Sequence, residues 1–325
     1  MSEREHEVLT AAAEAALRAP SIFNTQPWQW RVDANTLELY ADYDRQLTTT
    51  DPYGRFLLLS CGASLHHARV ALAAAGWRVV VDRFPDPRDA DLLARIRQAE
   101  PAVSAAEDLA MSAAIRARRT DRRPFAEQPV SDALLRDLVA AAQREGAQLY
   151  DVRPNQMPML AVAVASAQAT QRSGGAYRSE LLRWTNRPQW SADGVPQKTG
   201  VTHVARRVPV RDFVSAPNQG MTVEPGGDLG ARYLIVHGPG DEPKDWLRAG
   251  EAVSSVLLTA VSLGLGVAPI SDVIEVEHPR ALVRGLLPGS GQPYLIVRCG
   301  HCVDATPIDD APRREATEAI RGPRP

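Results

Sequence analysis

Lysine is nearly absent from this 325-residue chain: Lys198 and Lys244 stand alone, and the other 35 of its 37 basic residues are arginines. A GC-rich coding sequence accounts for most of this bias. Even so, such a protein must hold any phosphate mainly with guanidinium forks, which grip two oxygens at once. Net charge is scarce too, at -2, which removes the electrostatic reason to expect nucleic acid or an anionic membrane as partner. Three cysteines, an odd number, make no disulfide framework in so long a chain. The sequence shows no apolar run approaching a membrane span, and its opening, MSEREHEVLT, is acidic and lacks the apolar core of a signal peptide. The expectation is a cytoplasmic protein with no membrane partner.

Two short motifs suggest metal or redox chemistry and do not support it. Cys299-Gly-His-Cys302 follows the strand-like Tyr294–Val297 and leads into Val-Asp-Ala-Thr-Pro. A redox CxxC owes its acidic thiol to a helix N-terminus, and a zinc site needs two further ligands. His66 and His67 are adjacent, so on a helix they point to different faces and cannot easily share a metal. No metal site and no catalytic nucleophile are expected.

What is present is a globular balance of 44% hydrophobic and 23% charged residues, enough for one large domain or two ordinary ones. Strands are expected at 29–32, 36–40, 78–81, 148–152, 233–236 and 294–298, with helices between them. The segment from Arg88 to Ala106 is polar and helical in pattern. A helix follows at Ser112–Arg119, and after Pro124 another starts with Ser131 as its cap. Strands separated by helices give an α+β chain.

The chain resembles itself. Cys61–Val79 and Ala249–Val267 are both small-residue helices that open and close on glycines and run into a strand; Gly62 matches Gly250 and Gly76 matches Gly264 at a spacing of 188. Leu9–Arg18 similarly matches Leu135–Arg144 at a spacing of 126. The two spacings differ by about 60 residues, so the second half carries an insertion of that size. Its sequence is distinctive, with Trp184, Trp190, Asp193-Gly194, Pro196, Pro209, Pro217 and Pro225. Long excursions of this kind are usually binding loops or lids. The halves are expected at 1–106 and 107–325, with the insertion at about 165–227.

Three groups of residues carry chemistry. The first, Ala19-Pro-Ser-Ile-Phe-Asn-Thr-Gln-Pro-Trp28, ends an alanine-rich helix in a turn crowded with hydrogen-bonding side chains. The second, Arg118-Arg-Thr-Asp-Arg-Arg-Pro-Phe125, sets a hydroxyl among arginines, a good phosphate cup. The third is Gly264-Leu-Gly-Val-Ala-Pro-Ile-Ser271, where the order helix, glycines, strand excludes a dinucleotide fingerprint.

Together these groups resemble the flavin-dependent nitroreductase superfamily, whose members show R-R-S-x-R-x-F, A-P-S-x-x-N-x-Q-P-W and a small-residue helix ending G-L-G. Thr120 replaces the serine, Pro124 is an extra residue before Phe125, and Pro312-Arg-Arg314 is similar to the family's basic tail. The order is inverted, because the A-P-S group precedes the arginine group by about a hundred residues. That layout resembles the Acg-type fused proteins of actinobacteria, in which two halves imitate the family homodimer and a lid covers the flavin. The segment with Glu180, Trp184 and Asp193-Gly-Val-Pro196 fits that lid, and Trp184 and Trp190 would hold it shut.

The resemblance implies a nitroreductase-like α-β-α sandwich of two fused halves with one FMN between them. Its expected contacts are Pro20, Ser21, Asn24 and Gln26 from one side, and Arg118, Arg119, Thr120, Arg122, Arg313 and Arg314 around ribityl and phosphate. Pro269, Ile270 and Ser271 would lie near the reactive edge. The implied function is NAD(P)H-dependent reduction of a small oxidised acceptor, by a monomer or homodimer, with no essential acid–base side chain. The alternative is an FMN store occluded by the lid.

Overall fold

The computed structural model describes residues 3–33, 35–185, 187–188, 190–196, 199–200, 206–211, 213, 227–303 and 306–323. The expected features at Lys198, Pro217, Pro225 and Gly226 lie outside the described residues.

The first half runs α1 (Glu3–Ala16), β1 (Trp28–Val32), β2 (Thr36–Ala41), α2 (Arg55–Ala74), β3 (Trp77–Arg83) and β4 (Leu92–Pro101). After α3 (Ala106–Ala117) the second half runs α4 (Asp132–Arg144), β5 (Gln148–Asp151), α5 (Met157–Ser173), α6 (Gly175–Thr185), β6 (Arg232–Gly238) and α7 (Pro243–Ser262). It continues with β7 (Gly266–Ile270), α8 (Asp272–Glu275), α9 (Glu277–Arg284), β8 (Gln292–Gly300), α10 (Ala316–Ala319) and β9 (Ile320–Arg321). Ser131 caps α4 as expected, its hydroxyl accepting from the Leu134 amide at 3.4 Å.

Two strands were not expected, the short β9 and β4. The segment read as helical contains β4, which pairs antiparallel with both β2 and β3. Its polar look comes from cross-strand ion pairs: Arg95 meets Glu38 at 2.7 Å and Arg97 reaches Asp82 at 2.7 Å. Leu93 and Ile96 of the same strand are fully buried. Neighbouring strands decided the conformation, as they often do for a weakly patterned segment.

The duplication is plain in the topology. The first sheet is ordered β3-β4-β2-β1 and the second β7-β8-β6-β5, with every corresponding pair antiparallel. The end of the chain then crosses over and adds β9 parallel to β1, tying the second half's tail to the first half's sheet. In the first half β1 and β2 are joined by residues 33–35; in the second, β5 and β6 are joined by 152–231. The insertion therefore fills one hairpin, and the expected lower bound at 165 falls inside α5.

The halves meet where α2 packs on α7. Gly62 and Gly250 lie against each other there. A Cβ on Gly62 would sit 1.9 Å from the Leu247 carbonyl oxygen, and one on Gly250 would sit 1.9 Å from that of Leu59. The clashes are reciprocal at the spacing of 188, as on either side of a twofold axis. The pair His66 and Ser254, 2.9 Å apart, has the same spacing. One continuous core runs through both halves. By length and composition α2 is apolar enough to cross a membrane, against the reading of the sequence, but 83% of its most apolar window is buried inside the protein.

Gly62→Ala should force α2 and α7 apart and cost about 3 kcal/mol, the upper range for overpacking. Gly175→Ala, which meets nothing within 4 Å, should be close to neutral. Urea unfolding of the two variants makes the comparison.

Candidate functional site

The connection from α1 to β1 folds into an irregular turn. Phe23, Asn24 and Gln26 all lie in the left-handed region, with φ of 47°, 55° and 50°. Each such non-glycine residue carries a strain of roughly 1 kcal/mol or more and persists only where its surroundings fix it. Here they do. The Asn24 amide donates to the carbonyls of Gly194 (3.1 Å) and Pro312 (2.9 Å) and accepts from Arg313 at 2.7 Å. Gln26 donates to the Ala192 carbonyl at 2.8 Å and accepts from the Arg314 amide at 2.9 Å. The Ser21 hydroxyl accepts from the Gln26 amide, and Ser60 on α2 accepts from the Ile22 amide.

The arginine segment leaves the end of α3 and runs beside β7, where the Asp121 amide donates to the Val267 carbonyl at 2.8 Å. Arg298 on β8 holds it from behind. Its guanidinium donates to the carbonyls of Asp121 (2.7 Å) and Arg123 (2.8 Å), pairs with buried Asp228 and stacks on Phe125. Arg298 and Asp228 escaped the reading of the sequence. A lone arginine in the apolar run Tyr-Leu-Ile-Val-Arg was the available signal.

Between these two segments lies a cavity. Pro20, Ser21, Asn24, Arg118, Arg119, Thr120, Arg122, Pro269, Ile270, Ser271 and Arg313 all line it, so eleven of the thirteen expected contacts converge there. Gln26 and Arg314 do not line it. Their polar atoms go to the backbone: Arg314 donates to the carbonyls of Gln26 and Trp28 at 3.1 Å and pairs with Asp42 at 3.3 Å. These two residues brace the turn and anchor the tail. Asn24 lines the cavity, but its side chain likewise serves to join the turn, the insertion and the tail.

The cavity has two cationic ends. At one, Arg18, Arg118, Arg119 and Arg313 gather around Asp310, which binds Arg119 and Arg18. Burial, then the neighbouring guanidiniums, pushes Arg118 down to about 10 and Arg313 to about 9. Among the described residues, Nε and Nη1 of buried Arg118 have no hydrogen-bond partner, and no carboxylate pairs with it. At the other end Arg122 donates to Thr199 and lies 4.7 Å above the Phe213 ring. Burial, then Arg211 and Arg298, pushes it to about 10.

The insertion supplies one wall through Gly194, Val195, Pro196, Thr199, Val210, Arg211 and Phe213. Arg211 lies over the Phe23 and Phe213 rings, at 5.0 and 5.7 Å from their centroids, the rings themselves meeting edge to face, and is ion-paired to buried Glu275 at 2.6 Å. Tyr177, Trp184 and Val195 form a small apolar cluster with Phe23 and Leu47 of the first half. Glu180 accepts from the amides of Thr49 (3.1 Å) and Thr50 (2.8 Å), and Asp193 binds Arg45 and Arg187. Trp190 is 86% exposed, so it does not share the role expected of it alongside Trp184.

An unpartnered, buried guanidinium at the end of a partly apolar cleft fits a group that carries a phosphate at one end. The apolar wall of Ile270, Phe213 and Pro269 fits a planar body at the other. Cys299 is buried and pushed up to about 12 by that burial, which makes it a poor thiolate. Burial, helped by Arg69 and Arg144, also lowers His66, to about 4, against the opposing pull of Glu145.

Two halves of matched topology, with an arginine-lined cleft between them, define a fused nitroreductase-type protein. The family model described as the nitroreductase family matches residues 115–301, and the chain belongs to that family. A Mycobacterium tuberculosis protein provisionally named an NAD(P)H nitroreductase is 39% identical over 98% of this chain and 92% of its own length. Another from that organism, provisionally named NAD(P)H nitroreductase acg, is 35% identical over 97% of this chain and 95% of its own. Among solved structures, an FMN- and NADPH-dependent nitroreductase from a Sphigopyxis strain aligns with 65% of this chain and 97% of its own, at 19% identity and a TM-score of 0.41.

Arg118→Met should stabilise the flavin-free protein, because an uncompensated buried cation is replaced by an apolar side chain of similar length. The gain should be on the order of 1–3 kcal/mol at neutral pH. The depressed Arg118 pKa means that its cost is present at every pH below about 10 and fades as the group deprotonates. Thermal melts of the two flavin-free proteins at pH 7 test it, and a less stable variant speaks against the assignment.

Proposed function

We propose that the cavity holds one FMN and that the chain is an oxidoreductase passing reducing equivalents from NAD(P)H to a small oxidised acceptor. The observation that carries this is buried Arg118, which lines the cleft and whose Nε and Nη1 have no hydrogen-bond partner among the described residues. FMN, when bound, supplies the hydride and electron chemistry. Arg118, Arg313 and Thr120 would hold its phosphate and ribityl oxygens, with Arg119 and Asp310 fixing the loop around them. Arg122 would face the polar edge of the ring, and Pro269 and Ile270 its apolar face.

No acid–base side chain is required. Asp272 accepts from Gln168 and the Val273 amide at 3.0 and 2.9 Å, and Glu275 is paired with Arg211. Both carboxylates are thus bound within the wall. We place the boundary between halves near residue 106 and read the insertion as a lid. The cavity is completed within one chain, so a second copy is not needed to build it.

A second reading, an FMN store, is favoured by the insertion's contacts across the cavity. Hydride transfer needs reacting atoms about 3–3.5 Å apart, so a side chain held over the ring stops it. Steady-state NAD(P)H oxidation by the FMN-loaded protein with a nitroaromatic or quinone acceptor separates the readings. The enzyme reading expects turnover by the full chain, lost when the flavin is removed. The store reading expects almost none, rising at least about tenfold in Glu180→Ala/Trp184→Ala, where the lid's latch and apolar anchor are gone. Neither protein turning over would contradict the oxidoreductase assignment.

A further inference from the structure

The pseudo-twofold axis between α2 and α7 requires the cavity to have a counterpart on the opposite side. The spacing of 188, fixed by Gly62 and Gly250, by His66 and Ser254, and by the left-handed Gly76 and Gly264, says where. Cavity-lining Phe56 and Ser60 on α2 correspond to Lys244 and Arg248 on α7, and Ser271 and Asp272 after β7 correspond to Arg83 and Phe84 after β3. All four counterparts line one open pocket at the N-terminal turn of α7.

One layer deeper the two sides differ in chemistry. Ala63 lines the cavity; its counterpart is Glu251, whose side chain is 1% exposed. Glu251 accepts from Arg83 at 2.7 and 2.8 Å and from Arg69 at 2.7 Å. Arg69 also reaches Glu145 at 2.6 Å, and Glu145 lies 3.7 Å from His66. Glu145 stands in the connection between α4 and β5, which is only residues 145–147, where the first half has the turn at 17–27.

We infer that this pocket is the closed counterpart of the cofactor cavity, and that Glu251 and Arg83 are the residues that close it. The inference rests on reading the open cavity as a cofactor site. Small residues at positions 63 and 271 leave room for a ligand there; the same positions across the axis carry a glutamate and an arginine that fill the space with each other. Two carboxylates and two guanidiniums also neutralise the deeper layer, leaving it no buried cation like Arg118 to attract a phosphate. A pair of identical sites in an ancestral dimer thus becomes one site and one internal ion-pair plug.

Transplanting the plug tests the equivalence. Ala63→Glu should lower the melting temperature of the flavin-free protein by roughly 5–15 °C, since it buries a carboxylate without the two guanidiniums that hold Glu251. Adding Ser271→Arg should recover at least about half of that loss by rebuilding the pair. The double variant should still bind FMN at least roughly 100-fold more weakly than the natural protein. A double variant that melts no higher than Ala63→Glu, or that binds FMN normally, overturns the inference. Should Ala63→Glu not fold, Arg83→Ala, Glu251→Ala and their combination decide it: the combined loss must be clearly smaller than the sum, and additive losses overturn the pairing. The melts use flavin-free protein. If the natural chain fails to bind FMN, the cofactor reading falls, while the melts still judge the plug.

Discussion

Everything in this molecule depends on how closely α2 can approach α7. Two glycines allow the helix backbones to touch at Gly62 and Gly250, where any side chain would overlap a carbonyl oxygen. That contact sets the two halves at one separation and one angle. Only then does the turn at 18–24, from the first half, stand opposite 118–122 and 269–271 from the second. The contact is what a homodimer interface becomes when both copies share a chain. Association no longer depends on concentration, and the two sides are free to diverge.

They have diverged in charge and in strain. On one side arginines are buried beyond the carboxylates that could neutralise them, and of three left-handed residues Asn24 and Gln26 are held by side-chain hydrogen bonds to the insertion and the tail. Both features cost stability in the absence of a ligand, and such features gather where a protein binds something. On the other side the turn is missing and the buried charges compensate one another, although Phe84 there is also left-handed, with φ of 50°. Described residues of the insertion line the cavity, with Asn24 as the meeting point: one amide joins the turn, Gly194 of the insertion and Pro312 of the tail.

The duplication and most strands were legible in the sequence because local signals carry them, glycines at helix ends and alternation in strands, while eleven of the cavity's residues followed from the resemblance of three motifs to the nitroreductase superfamily. Other features were invisible for physical reasons. β4 is a strand because β2 and β3 flank it and supply the partners of Arg95 and Arg97; alone it reads as polar helix. Gln26 and Arg314 belong to the motifs yet face away from the cavity, since a left-handed backbone at Gln26 turns its amide toward Ala192 and the tail. Arg211 and Phe213 come from a proline-rich segment with no periodicity, so nothing local marked them as a stack against Phe23. Glu251 reads as one charge on a small-residue helix, and only its distance to Arg83 and Arg69 gives it meaning.

The central claim is a single FMN site built from both halves of one chain and gripped by buried arginines. Calorimetric titration of flavin-free protein with FMN tests it most directly, run alongside the same titration with riboflavin. The account predicts one FMN per chain, independent of protein concentration. Riboflavin should bind far more weakly, by the roughly 1.5–3 kcal/mol that each charge-assisted phosphate bond contributes. Two FMN per chain, no binding, or equal affinity for riboflavin would contradict it.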